Sequence, residues 1–174
     1  MSANNPFANS RYRERVIQVK NFMFGDIEKT LTLATEPQGA PNFFLALGLC
    51  CYTEYWGKLK LGAAKNRSQD SFEVFLIELD YQYYDPIKSQ IYRDVRCGLA
   101  HAYLIENRNS VIDTLNDGTH GIEFDQAKNE YTFFVRTYFK EFKNAVNMYI
   151  SALESGTVSI TLLENALNNR PELL

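Results

Sequence analysis

The sequence predicts a mainly α protein: a bundle of four to six helices with a small antiparallel β-hairpin or meander near residues 110–136. Three observations lead there. Apolar residues recur at helical spacing from Arg11 to Ala34 and again beyond Tyr138. The stretch "FFLALGLCCYTEYW" is apolar nearly all round, as a central buried helix is. After Ile105 the pattern turns to short alternating runs, which suit strands.

Taken in order, residues 1–10 are small and polar and are expected to be disordered, with residues 11–174 forming a single domain. Val16, Val19, Met23, Ile27 and Leu31 define the first helix, which Gly25 is expected to bend or split. "TEPQGAP" breaks the chain, and Pro41 suits the first turn of a second helix over about 42–60. Cys50 and Cys51 on that helix read as small core hydrophobes. Asp70 and Glu73 give a cap-like start to "SFEVFLIEL", and "DYQYYDP" stops it. Asp85-Pro86 is then expected to cap and open a fourth helix reaching about Ile105.

"SVIDTL", "HGIEF" and "YTFFVR" read as strands, and the Asp117-Gly118 pair between the first two is a hairpin signal. "YFKEFKNAVNMYISALE" restores a helix with Phe142, Ala145, Val146, Tyr149 and Leu153 on one stripe. Thr161 and Glu164 have capping-box spacing for a short last helix.

Composition narrows the function classes. A net charge of −3 argues against a broad nucleic-acid-coating surface, though not against a local site for one phosphate. Three cysteines, Cys50, Cys51 and Cys97, form no disulfide framework or CxxC pattern, so a reducing cytoplasm is the expected location. No run is long and apolar enough for a membrane span, and the first residues lack an apolar signal core. No metal cluster, glycine-rich phosphate loop or Ser-His-Asp order is present, so no cofactor is expected.

The fourth helix carries the most chemistry, in "RCGLAHAY" at residues 96–103. At about 100° per residue, Ile91, Val95, Gly98, Leu99 and Ala102 form a core stripe. Asp94, Cys97 and His101 cluster on one shoulder, while Arg96 and Tyr103 lie together on the other. Arg93, Ala100 and Leu104 fill the arc between. A long arginine can swing across the small Ala100 toward the imidazole, and Asp94 can orient that ring. The alternative reading is an ordinary amphipathic helix whose Arg96 and His101 are simply solvated.

Arg96, four intervening residues, His101 and then Tyr103 resemble the R-x4-H-x-Y signature of the HEPN superfamily (higher eukaryotes and prokaryotes nucleotide-binding domains). The likeness runs over roughly residues 12–154, from the buried second helix through "QIYRDVRCGLAHAY" to the hairpin and closing helix. It implies a HEPN-like bundle that forms a homodimer. The motif helices of two protomers would meet across a twofold axis in a composite, metal-independent endoribonuclease site with Arg96 and His101 as catalytic residues. It further implies a toxin-type ribonuclease paired with a nucleotidyltransferase antitoxin, for which Tyr103 would be the modification acceptor. Asp94, Glu54 and Cys97 are supporting candidates. Cys97 departs from the Asn, Asp or His common after the arginine in active members, a change that Asp94 would have to offset.

Glu54, the one acid within the apolar second helix, either pairs with Arg96 or emerges at the solvated end. Lys58, Lys60 and Arg93 are candidates for RNA-backbone contacts, with Trp56 as a base-stacking surface; the alternative is a solvated face. His120, beside the Asp-Gly turn, reads as structural. The competing function class is a non-catalytic HEPN module that binds a nucleotide, RNA or a protein partner.

Overall fold

The computed structural model describes residue 7 and residues 10–34, 40–62, 67–102 and 109–169. Its elements run α1 (Arg11–Leu33), α2 (Ala40–Leu61), α3 (Ser68–Leu79), α4 (Tyr81–Tyr84), α5 (Lys88–Ile91), a π-helical turn (Tyr92–Arg96), α6 (Cys97–Ala102), β1 (Asn109–Asp113), β2 (Ile122–Asp125), β3 (Glu130–Phe134), α7 (Val135–Ser155) and α8 (Ile160–Asn169). The protein is mainly helical, as the periodicity predicts.

Helix α2 is the hub, packing against α1, α3, α7 and α8. Its Leu45, Ala46, Leu49, Cys50, Trp56 and Leu59 are buried around the helix rather than along one stripe. Such a helix needs partners on every side. The closest approach is to α3, where a Cβ added at Gly57 would lie 1.6 Å from the Ser71 carbonyl oxygen. Only glycine lets the two backbones meet there. Helix α1 passes Gly25 without a break and buries Tyr12, Val16, Met23 and Ile27. Phe7, within the stretch expected to be disordered, is buried in the core.

Three caps differ from expectation. Asp70 does not begin α3, which starts at Ser68 after Arg67 with no side-chain cap. Asp80, not Asp85, is the capping acid of the next turn, since its Oδ1 accepts from Tyr83 N at 3.2 Å. Asp85 instead receives Lys88 Nζ at 2.5 Å. Asp80 therefore caps α4, and the helix expected to open at Asp85-Pro86 begins instead at Lys88 as α5, after the Asp85–Ile87 turn and without a side-chain cap. Likewise Ser159 Oγ, rather than Thr161, accepts an amide at the start of α8 (Thr161 N, 3.2 Å).

The strands fall where the alternation predicts them, but their pairing corrects the meander. The sheet order is β1-β3-β2. β2 and β3 form the antiparallel hairpin through residues 126–129, with Asn129 at φ 50°. β1 pairs with β3 in parallel, Val111 opposite Thr132. Asp117-Gly118 is therefore not a hairpin turn but part of a crossover. Two interactions divert the chain there: Asp113 Oδ1 receives the Leu115 and Asn116 amides at 2.8 and 2.9 Å, and Thr137 Oγ1 receives Gly118 N at 3.0 Å. The side-chain capture of successive amides substitutes for a two-residue turn. Tyr131 and Phe133 alternate into the core, and β3 runs into α7 at Val135 without a loop.

Candidate functional site

The π-helical turn at Tyr92–Arg96 sits immediately before α6, and the Cys97 amide closes it onto the Tyr92 carbonyl. A π turn widens the helix by about one residue, which re-aims side chains relative to an α-helix. Cys97 and His101, four residues apart on α6, keep the face expected for them, while Asp94 lies in the π turn and leaves it. Asp94 is buried, Cys97 half-buried and His101 exposed.

Arg96 also turns away from the imidazole. Instead of swinging across Ala100, its guanidinium faces α2, where Nη2 donates to Glu54 Oε2. Glu54 is the centre of this arrangement and is 5% exposed, so it does not emerge at a solvated helix end. Its Oε1 receives Lys58 Nζ at 2.6 Å, one turn further along α2. Ser68, the first residue of α3, adds a hydroxyl bond. Burial pushes the Glu54 carboxyl up, but Lys58, Ser68 and Arg96 together hold it below the usual carboxylate range. The group is a fixed anion between two cations.

Tyr92 completes the surround. The Arg96 guanidinium carbon lies 5.6 Å from the centre of its ring, within cation–π range. The Tyr92 hydroxyl and the Cys97 thiol share a hydrogen bond, a pairing five residues apart that the π turn brings into line. Arg96 Nε is buried with no hydrogen-bond partner among the described residues.

Asp94 faces elsewhere. Its Oδ1 receives Arg93 Nε at 2.8 Å and its Oδ2 receives the Tyr131 hydroxyl at 3.3 Å, which ties the π turn to β3. His101 stands on the outer surface in the last described turn, next to exposed Ala100. Tyr103 and Leu104 lie outside the described residues. The structure thus joins Glu54 with Arg96 and Lys58, joins Arg93 with Asp94, and leaves His101 outside both groups.

The lysine-rich end of α2 is not a base-stacking surface. Trp56 is fully buried, stacked on Phe75 and edge-on to Tyr149. Lys60 is paired with Glu78 across the α2–α3 interface. Of the weaker cation candidates, Arg93 stays the most open, with 72% of its side chain exposed. Cys50 is a core thiol, but Cys51, expected beside it in the core, is exposed. An adjacent pair on a helix points about 100° apart, so one of the two can leave the core.

Ser68 and Tyr92 belong to the site although neither stood out in the sequence. Tyr92 is four residues before Arg96, a spacing at which helical side chains meet, and that was the available signal. Ser68 carried none, since its role depends on how α3 crosses α2.

Among the described residues, no group of three or more His, Cys, Asp or Glu could hold a metal ion, and no helix is long and apolar enough to cross a membrane. Set against protein-family models, curated proteins and solved structures, the chain matches none.

Proposed function

We propose that the chain is a HEPN-type, metal-independent endoribonuclease working as a homodimer, with His101 moving the proton and Arg96 holding the phosphate. The observation that carries this reading is the buried Glu54–Arg96 pair, which fixes the guanidinium on the motif helix five residues before an exposed imidazole. Lys58 shares the same carboxylate, so the trio keeps one net positive charge, enough for a single phosphate. Exposed Ala100 and His101 offer a low-relief face on which a second motif helix can pack across a twofold axis.

In the reaction, His101 takes the proton of a ribose 2′-OH as that oxygen attacks the adjacent phosphorus. The 5′-oxygen leaves with a proton from the second protomer's imidazole, and the product is a 2′,3′-cyclic phosphate. Arg96 offsets the charge that develops on the phosphoryl oxygens. In this reading the protein works on RNA in the cytoplasm as the toxin of a pair, and Tyr103 is the acceptor through which a nucleotidyltransferase antitoxin silences it.

The test is cleavage of labelled RNA in EDTA. The wild type is expected to cut, and His101→Ala to abolish cutting with circular dichroism and the dimer unchanged. Because the imidazole is exposed, His101→Ala should alter stability by no more than about 0.5 kcal/mol. Arg96→Ala should slow cleavage by roughly a hundredfold or more. Wild-type protein that leaves RNA intact, or a His101→Ala variant that cuts equally well, removes the enzyme from consideration.

A second reading, a HEPN module that binds RNA, a nucleotide or a protein without cutting, is favoured by one observation. The Arg96 charge is already answered by Glu54, and only 16% of its side chain is exposed. That reading predicts RNA or nucleotide binding by wild type with no product at any time.

A further inference from the structure

Apart from the Glu54–Arg96 group, four carboxylate or imidazole side chains and two tyrosines surround the crossover between β1 and β2. Glu141 of α7 receives the Tyr84 hydroxyl at 2.8 Å. Its two carboxyl oxygens also receive the Gly121 amide, at 3.2 and 3.3 Å. Glu123 Oε1 receives the amides of Thr119 and His120 at 2.6 and 3.0 Å. The His120 ring lies flat on Tyr83, with ring centres 3.6 Å apart and planes 6° apart, and its Nδ1 is 3.5 Å from Asp80 Oδ2. The Tyr83 hydroxyl donates to the Ile122 carbonyl at 3.0 Å. Successive amides of one segment are thus held by acid side chains from α7 and β2.

We propose that Glu141, bonded to Tyr84 and Gly121 and placed near Asp80 and Glu123, is a proton-operated latch that holds residues 118–121, and with them edge strand β2, against α4 and α7. When Glu141 carries its proton the latch is closed; when it ionises, a negative charge appears beside Asp80 and Glu123, and the latch loosens.

The groups facing Glu141 set the sense of the switch. From the α3–α4 junction come Asp80 and the hydroxyls of Tyr83 and Tyr84; from β2 comes Glu123; and from α7 itself comes Tyr138. His120 of the crossover, charged only when protonated, stands against Asp80. No lysine or arginine is among the groups that act most strongly on Glu141, whereas two cations grip Glu54. Burial is the largest influence and raises the Glu141 carboxyl to about 7, with Asp80 and Glu123 adding to it against the hydrogen bonds from Tyr84 and Gly121. Room to slide is limited, since a Cβ at Gly121 would lie 2.5 Å from Tyr138 Cα, so the latch releases by opening and not by a small shift.

The sign follows from linkage. A carboxyl raised in the closed state and released to an ordinary 4.5 when open favours closure most below 4.5, and loses that advantage as pH rises to about 7. Amide exchange on the whole chain, corrected for the intrinsic pH dependence of exchange, reads this directly. From pH 5 to 7, protection of residues 118–122 should fall by up to roughly tenfold per pH unit, then level off. Glu141→Gln, which keeps an acceptor for Tyr84 and Gly121, should make protection flat over the same range. A wild-type profile that is itself flat, or a Glu141→Gln profile that keeps the slope, overturns the latch. A carbon-13 titration of the wild-type Glu141 carboxyl gives an independent decision that needs no variant: a midpoint near 7 supports the latch, and one near 4.5 overturns it.

Discussion

Glu54 and Glu141 are the same side chain, one buried and the other half-buried, and the fold shifts their carboxyls in opposite directions. Each sits on a long helix, and each is the meeting point of three elements. Burial pushes both carboxyls up. At Glu54, Lys58, Ser68 and Arg96 outweigh burial, and the group is held ionised. At Glu141, the donors are a phenol and one amide, the nearest charges are other acids, and the group is pushed to about 7. The lesson is that shelter alone does not decide a charge state; the sign of the nearest fixed charges does. A carboxylate between cations is a structural member, while one among acids can exchange its proton near neutral pH.

Removing the carboxylates one at a time sharpens this contrast. The largest effect is expected at Glu54→Ala, which strands the Arg96 guanidinium and the Lys58 ammonium beside each other, both mostly buried. Leaving such a charge without its partner costs about 3 kcal/mol, read as a drop in the urea midpoint at pH 7. The deficit should shrink in acid, because Glu54 is lowered: its contribution is present above 4.5 and is lost as pH falls through its depressed folded value.

Glu141→Gln should do the reverse and do it more weakly. At pH 8 the wild type carries an ionised Glu141 that the fold disfavours, so the glutamine variant should be the more stable protein by about 1 kcal/mol, after discounting for the solvent that reaches the group. At pH 4 the two should match. Denaturant curves at both pH values would break the comparison if the difference has the same sign and size throughout.

The smallest effect belongs to Lys60→Ala. Its pair with Glu78 is more open than the Glu54 cluster, with side chains 28% and 39% exposed, and should be worth no more than about 0.5 kcal/mol. A loss as large as that at Glu54 would show that charge pairing on α2 is indifferent to burial, and the contrast would fail.

Much of the helical frame was legible because its signals are local. Val16, Met23 and Ile27 on α1, and Phe142, Val146 and Tyr149 on α7, announce their buried faces by spacing alone. All three strands were legible from alternation. Their order was not, because the choice of β1 to pair with β3 in parallel is settled across more than twenty residues by where Asp113 and Thr137 divert the chain. The Glu54–Arg96 contact was one of two readings of a lone acid on an apolar helix, and the fold chose between them. The π turn was hidden, since Ile91, Val95 and Leu99 fit an α stripe as well. The Glu141 cluster was missed, although Glu141 sits three residues after Tyr138 and four before Ala145, both buried, so an acid flanks the wet edge of the α7 stripe.

The π turn also makes the length of the motif segment a structural constraint in its own right. Between Lys88 and Ala102 the chain holds one residue more than an α-helix of equal span would need. Deleting Arg93 would let the regular ladder close, at no loss of helical hydrogen bonds. Ile91 and Leu99 would then stand seven residues apart and still share the core face, since seven residues make about two turns. The change would fall inside the turn, where Tyr92 and Arg96 would be three residues apart instead of four and the guanidinium would be re-aimed relative to Glu54. A single-codon deletion there would thus spare the frame of the bundle and strike the site.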